Sequence, residues 1–165
     1  QLLSLVLAAR YRKPWPIVLG ILAATLFNHA LAGAFGAWIS HVIGPVWLAR
    51  IVGASFLLMA AWILVPDKLD ETGNVERVGH GVFLTTSVLF FLAEMGDKTQ
   101  VATVVLGARY ESLVQVVLGT TFGMLIANVP VVFFGDAIAK RVPVSVVRRV
   151  TAVAFGVLGI YALLR

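Results

Sequence analysis

The stretch FLAEMGDKTQVA, residues 91–102, places three charged side chains inside a long apolar run. Glu94, Asp97 and Lys98 fall near the middle of the run from Gly79 to Ala108. An apolar run of about 20 residues is long enough to cross the hydrocarbon core of a bilayer as a helix. A charge at that depth costs about 2.5–3.5 kcal/mol, so such residues are normally paired, turned toward a cavity, and functional. The stretch therefore predicts a membrane span with a functional site inside it.

The composition of the whole chain indicates an integral membrane protein. Of its 165 residues, 60% are hydrophobic and 13% are charged, and the mean hydropathy is +0.97. An ordinary soluble domain is only about 45–50% apolar. The net charge of +5 comes from short polar connectors, so it indicates contact with membrane lipid rather than nucleic acid. The absence of cysteine excludes disulfides and thiolate metal sites.

Six apolar runs predict an all-α, polytopic membrane fold. The first run has only nine residues, which as a helix would cover about 14 Å of a hydrocarbon core of about 30 Å. We therefore expect it to be the end of a span whose beginning precedes Gln1. The six runs are Gln1–Ala9, Pro14–Ser40, Pro45–Val65, Gly79–Ala108, Leu113–Ile138 and Pro143–Leu164.

The chain also repeats itself at an offset of 99 residues. Residues 1–39 laid on residues 100–138 give 13 identities in 39 positions, including Ala-Arg-Tyr at 9–11 on Ala-Arg-Tyr at 108–110. Three spans per repeat is an odd number, so the second copy enters the membrane from the opposite side, as in the inverted repeats of many secondary transporters. We predict a first three-helix repeat at 1–65, a polar linker at 66–79 and a second three-helix repeat at 80–165.

The basic residues of the connectors predict the orientation. One side of the predicted topology carries nine Lys and Arg residues and the other carries three. Cytoplasmic loops are enriched in Lys and Arg, so we expect the first side, with the 66–79 linker, to face the cytoplasm from a bacterial-type inner membrane or an organellar membrane. The nine are Arg10, Arg12, Lys13, Lys68, Arg77, Lys140, Arg141, Arg148 and Arg149, and the three are Arg50, Arg109 and Arg165.

The charged stretch has the chemistry of a cation site. Glu94 and Asp97 are three residues apart, so on a continuous helix they share a face, and both offer the oxygen ligands that hard cations prefer. Gly96 between them lets the helix loosen or another backbone approach. Lys98 either neutralises a carboxylate or competes with the cation for it. The adjoining polar residues, which extend the patch, are Thr99 and Gln100.

Polar residues in two other spans are candidates for the same site. Asn28 and Asn128 lie at nearly matching places in the two repeats, and either amide supplies an oxygen ligand or bridges helices. His29 has the same two alternatives. The threonines at 25, 120 and 121 are expected to bond to their own helix backbone. The pair Gly119 and Gly123 is expected to allow close helix packing.

The segment Glu94-Met95-Gly96-Asp97-Lys98-Thr99 fits the motif Glu-x-Gly-Asp-Lys-Thr/Ser at every position. The chain thereby resembles the small membrane cation exchangers related to human transmembrane protein 165, which carry two copies of this motif. That resemblance implies transport of Mn²⁺ and/or Ca²⁺ in exchange for protons, with the two motifs meeting at the membrane midplane. The metal ligands expected in this chain are Glu94, Asp97, Gln100, Asn128 and Asn28, with Lys98, Thr99, Gln1 and Gly96 in support.

Only one copy of the motif is present. Gln1 aligns with Gln100, the residue after Thr99, so the first copy would end directly before Gln1. We expect the chain to begin inside the first helix of a longer protein; otherwise a second subunit of a homodimer must complete the site. One motif has a net charge of −1 and two have −2, which one divalent cation or two protons would neutralise.

These features predict a secondary active transporter that exchanges Mn²⁺ or Ca²⁺ for protons and exports the metal from the cytoplasm. Mn²⁺ or Ca²⁺ is then a transported substrate, and no cofactor is expected. The chain lacks His-Glu-x-x-His and Gly-x-Ser-x-Gly, which argues against a metalloprotease or a serine hydrolase. The alternatives left open are an exporter of amino acids or other organic cations and a cation channel.

Overall fold

A computed structural model describes residues 1–65, 81–135 and 144–164, and the account below concerns these ranges. They form seven helices and contain no strand, which confirms the all-α prediction. The predicted 66–79 linker lies outside the described residues, as do Asp136 and His80. The helices are α1 (Leu2–Tyr11), α2 (Pro14–Val42), α3 (Pro45–Leu64), α4 (Val82–Glu94), α5 (Lys98–Arg109), α6 (Leu113–Phe134) and α7 (Val144–Leu164).

Three of these helices, α2, α3 and α6, are long and apolar enough to cross a membrane. Their outward surfaces are strongly apolar. Phe27 and Trp38 on α2, Leu58 on α3 and Phe122 on α6 are each more than half exposed. Large apolar side chains on the outside are what a hydrocarbon environment requires, so the molecule is an integral membrane protein.

The helix α2 lies at the centre of the packing and contacts α4, α5 and α6. Its contact with α5 is a close approach of two backbones, because a Cβ atom added to Gly36 would overlap the carbonyl oxygen of Val104. Small residues permit this packing within membranes, where close van der Waals contact drives helix association. The buried side chains Ile17, Ile21 and Phe90 join α2 to α4 in one core cluster.

The third helices of the two predicted repeats, α3 and α7, pack against each other. Val52 and Phe56 of α3 and Ala162 of α7 form a second buried cluster. Gly53 faces Gly159 at the closest point, where a Cβ added to either would lie 3.1 Å from the other's carbonyl oxygen. The α3–α7 pair therefore forms a second packing unit, which meets the first through α5.

The prediction of one continuous helix over residues 79–108 is wrong. The helix α4 ends at Glu94, and α5 begins at Lys98. Gly96 between them has a φ of +80°, a left-handed conformation that glycine adopts without a steric penalty. Asp97 then caps α5 by accepting a hydrogen bond from the Lys98 backbone N–H at 2.7 Å. Glu94 and Asp97 consequently flank a break and do not share the face of one helix.

Candidate cation site

Glu94 is held at the end of α4 by side chains from α2. It is 5% exposed. The Thr25 hydroxyl donates to its Oε1 at 2.8 Å, and the Asn28 amide donates to its Oε2 at 3.4 Å. Thr25 and Asn28 are three residues apart, so both project from one face of α2. An ionised carboxylate has about four acceptor positions, so these two bonds orient Glu94 and leave capacity for a cation.

Asp97 is oriented by the first turn of α5. Its Oδ1 accepts from the backbone N–H of Lys98, and its Oδ2 accepts from the Thr99 hydroxyl at 2.9 Å. The side chain is only partly buried. The Gln100 side-chain oxygen accepts from the Gly96 N–H at 2.6 Å. Gln100, predicted as a metal ligand, therefore stabilises the break between the two half-helices in this conformation.

The two asparagines have different surroundings. Asn28 donates to the carbonyl oxygen of Phe91 at 3.1 Å as well as to Glu94, so it lies at the predicted site. Asn128 is 2% exposed, and its Oδ1 accepts from the hydroxyl of Ser4 on α1 at 2.6 Å. The described contacts therefore bring Asn28 to the carboxylate and connect Asn128 to α1.

Gln1 and Lys98 contact helices outside the motif. The Gln1 side-chain amide donates to the carbonyl oxygen of Ala127 on α6 at 3.2 Å. The Lys98 ammonium donates to the carbonyl oxygen of Val65 at 3.2 Å and lies 5.4 Å from the centre of the Trp62 ring. A cation over an indole face is attracted by the ring quadrupole. Lys98 thus connects the start of α5 to the end of α3.

The roles expected for the threonines are partly wrong. Thr25 bonds to Glu94 on another helix, not to its own backbone. Thr120 behaves as expected and donates to the carbonyl oxygen of Val116 at 2.8 Å. Ser4, the partner of Asn128, was missed. The signal that could have indicated Thr25 was its spacing from Asn28, which aligns both on one face of α2.

The expectation of close packing at Gly119 and Gly123 is also not met by the described part of the chain. A Cβ atom added to either residue would have nothing within 4 Å. The corresponding residue in the first repeat, at the offset of 99, is Gly20. A Cβ atom there would lie 2.7 Å from the Cβ of Thr86 on α4. The α6 glycines therefore form an open face where α2 has a close contact.

Within residues 1–65, 81–135 and 144–164, no group of three or more His, Cys, Asp or Glu side chains is placed to hold a metal ion. A cation bound here would therefore also need amide, hydroxyl or backbone oxygens, or a further acidic group. The arrangement is nevertheless suited to a cation that binds and leaves. It combines two carboxylates, a nearby amide and a broken helix, and discontinuous helices commonly form the ion sites of secondary transporters.

A family model described as "Divalent cation/proton antiporter GDT1" matches residues 1–71 and 82–165. The chain belongs to the GDT1 family. As a member of this family it is a divalent cation/proton antiporter, and its substrates are divalent cations and protons. The match covers nearly the whole sequence, including the motif at 94–99, and confirms the family resemblance inferred from that motif.

Curated relatives of this GDT1 member include bacterial and plant proteins. A protein of Vibrio cholerae named "Putative manganese exporter" is 50% identical over 156 residues, which span 94% of this chain and 77% of that protein. A GDT1-like protein of Synechocystis is 27% identical over 93% of this chain and 82% of its own length. GDT1-like protein 3 of Arabidopsis thaliana is 25% identical over 93% of this chain and 61% of its own length. No solved structure matches the chain.

Proposed function

We propose that this GDT1 member exports Mn²⁺ from the cytoplasm in exchange for protons and that Glu94 and Asp97 bind the metal. The observation that carries the proposal is the buried Glu94 carboxylate, which α2 orients beside a helix break. Carboxylate and amide oxygens suit Mn²⁺. The name of the Vibrio cholerae relative supports this metal. Ca²⁺ remains the second candidate substrate because it takes the same oxygen ligands.

Exchange follows from competition for the same carboxylates. A carboxylate that binds a divalent cation must give up its proton, and a protonated carboxylate no longer attracts the cation. The motif contains two carboxylates and one lysine, a net charge of −1. A second copy would bring the total to −2, so that one divalent ion or two protons restore neutrality. Because either the divalent ion or the protons would occupy the carboxylates at one time, the metal flux and the proton flux would be coupled.

We propose that the helix that carries the second copy packs against α6 at Gly119 and Gly123. The contacts of the repeats support this placement. The second helix of each repeat contacts the first helix of the other, as α2 contacts α5 and α6 contacts α1. Gly20 on α2 lies against Thr86 of α4, whereas its counterpart Gly119 is open. The helix that carries the second copy would therefore occupy on α6 the position that α4 occupies on α2.

The remaining predicted residues act around these carboxylates. In this proposal Asn28 supplies an amide oxygen beside Glu94, and Asn128 supplies the corresponding oxygen for the second copy. Gln100 and Gly96 permit the helix break to open and close. Thr99 orients Asp97. Lys98 compensates charge, and Gln1 secures α1 on α6. A homodimer is the alternative source of a second motif.

The test is metal-driven proton flux in proteoliposomes that contain the full-length protein. Asp97→Asn keeps a good helix N-cap, because asparagine caps as well as aspartate, but removes the charge. We expect an inward Mn²⁺ gradient to alkalinise the lumen with the wild type, because protons leave as Mn²⁺ enters, and to have no effect with Asp97→Asn. The control is Glu111→Gln, which removes an exposed carboxylate from the α5–α6 connector. Undiminished flux in Asp97→Asn would refute the assignment.

Two further measurements separate the alternatives. Mn²⁺ flux that ignores an imposed proton gradient would indicate a channel. Displacement of bound Mn²⁺ by lysine, with no displacement by Ca²⁺ at the same concentration, would indicate an exporter of organic cations.

A further inference from the structure

Three buried polar atoms near the proposed site have no hydrogen-bond partner among the described residues. They are Nδ1 and Nε2 of His29 on α2 and Oγ1 of Thr121 on α6. His29 is 1% exposed and Thr121 is 3% exposed. Buried polar atoms are almost always bonded, so an unpaired one indicates a water molecule or an ion. An imidazole with both nitrogens unpaired is therefore a candidate ligand.

These atoms face the same seam between helices. The start of α2 lies beside the end of α6, where the Trp15 and Phe133 rings are 5.5 Å apart. Further along, a Cβ added to Gly33 would lie 3.5 Å from Cγ2 of Val117. The two helices are therefore antiparallel. His29 lies one turn before Gly33 on α2, and Thr121 lies one turn after Val117 on α6. Because the two helices are antiparallel, His29 and Thr121 are at the same level.

A third helix completes the seam. The same Cβ on Gly33 would lie 3.9 Å from Cγ2 of Thr103 on α5. Thr103 is fully buried, and its hydroxyl donates to the carbonyl oxygen of Thr99 at 2.8 Å. A hydroxyl that donates in this way keeps its own acceptor lone pairs. The seam thus contains the His29 imidazole and the Thr121 hydroxyl, with the Thr103 methyl group of a third helix beside them.

The seam adjoins the carboxylates. His29 follows Thr25 by one turn, about 6 Å along the axis, and Thr25 bonds to Glu94. An ion that leaves Glu94 along α2 in the direction of His29 would therefore pass from anionic ligands to neutral ones.

The internal repeat shows that His29 is not simply a bridge between helices. At the offset of 99, its counterpart is Asn128. The Asn128 amide is bonded on both sides, since it accepts from Ser4 and donates to the carbonyl oxygen of Met124 at 3.0 Å. The His29 side chain has no such bonds among the described residues. Its polar atoms remain for a ligand.

We propose that His29 and Thr121 form a neutral station for a divalent transition-metal ion, next to the carboxylates, with a His29 nitrogen as the selective ligand. This station rests on the proposed function. Imidazole binds transition metals, whereas Ca²⁺ and Mg²⁺ take oxygen ligands. Neutral donors also hold a cation less strongly than carboxylates do, and a transported ion must be able to leave each site. The station would thereby favour Mn²⁺ over Ca²⁺.

The experiment detects nitrogen bound to Mn²⁺ by pulsed electron paramagnetic resonance on the full-length protein. We expect the ¹⁴N modulation of an imidazole ligand in the wild type and its loss in His29→Gln. The control is His41→Gln, at the exposed end of α2, which should retain the modulation. In transport assays, His29→Gln should lower the preference for Mn²⁺ over Ca²⁺ by roughly tenfold or more. Loss of a side chain that supports a bound metal typically lowers metal affinity by this factor. Ca²⁺/proton exchange should persist.

The outcomes separate this station from the proposed function. Bound Mn²⁺ without nitrogen modulation, or modulation that survives His29→Gln, would overturn the station while Mn²⁺/proton exchange stands. Failure of the wild type to bind Mn²⁺ would overturn both. If His29→Gln does not fold, wild-type protein with ¹⁵N-labelled histidine gives the same answer, because only a histidine ligand changes the modulation. Variants of every other histidine of the full-length protein, His41→Gln and His80→Gln among them, then identify the histidine by elimination.

Discussion

The hydroxyl of Thr25 on α2 donates to Oε1 of Glu94 on α4 at 2.8 Å. This contact fixes the carboxylate at the place where α4 ends. Asn28 adds a second bond from the same face of α2. The position of Glu94 is therefore set by a neighbouring helix as well as by its own, so a movement of α2 relative to α4 would move this carboxylate directly. Such a movement is what alternating access requires.

Replacement of Thr25 by valine, which has nearly the same shape, should weaken Mn²⁺ binding. The variant loses a hydrogen bond to a charged group, and such bonds contribute about 1.5–3 kcal/mol. We expect a higher Mn²⁺ concentration at half-maximal transport with little change in protein yield. Thr120→Val is the matched control because Thr120 bonds to its own helix. Equal Mn²⁺ dependence in the two variants would argue against an orienting role for Thr25.

The substitution Gly96→Ala should destabilise the break between α4 and α5. Gly96 has a φ of +80°, and a residue with a Cβ atom in the left-handed region costs about 1–2 kcal/mol. Gly96→Asn should be milder, since asparagine tolerates this region better. Thermal unfolding in detergent should rank the proteins as wild type, asparagine variant and alanine variant. Equal stability of all three would mean that the break relaxes without cost.

The contact between α2 and α5 should tolerate no added atom at Gly36. A Cβ there would overlap the carbonyl oxygen of Val104, and overpacking typically costs about 1–3 kcal/mol. We expect Gly36→Ala to lower the unfolding temperature and to reduce transport. Gly156→Ala on α7 is the control, because a Cβ there meets nothing within 4 Å among the described residues. It should leave stability unchanged or raise it by up to about 1 kcal/mol, owing to the better helix propensity of alanine.

Hydropathy predicted the long helices because the thickness of the bilayer sets their length. The run from Pro14 to Ser40 became α2, Pro14–Val42, and the run from Pro45 to Val65 became α3, Pro45–Leu64. Hydropathy did not predict the break at Gly96, since a broken helix and a continuous one have the same apolar composition. Gly96 indicated only that loosening was possible.

The partners of the polar side chains were harder to predict than the helices. The depth of Glu94 in an apolar run predicts its burial, which the structure confirms. Its bond to Thr25 depends on how α2 is rotated against α4. The periodicity of apolar residues along a helix does not determine which neighbouring helix a polar side chain faces. Ser4 was missed for the same reason, because its partner Asn128 lies 124 residues away in the sequence.

The open face of α6 should be sensitive to bulk if the helix that carries the second motif copy packs on it. Gly119 corresponds to Gly20 of the first repeat, where a Cβ atom would lie only 2.7 Å from the Cβ of Thr86. Gly119→Leu would place a large side chain at the corresponding position of α6. We therefore expect Gly119→Leu to lower both the unfolding temperature and Mn²⁺ transport of the full-length protein. Leu118→Phe is the control, since Leu118 is 57% exposed on the same helix and should accept added bulk. If Gly119→Leu behaves like Leu118→Phe, lipid and not a helix covers this face, and the second acidic motif must reach the ion from elsewhere.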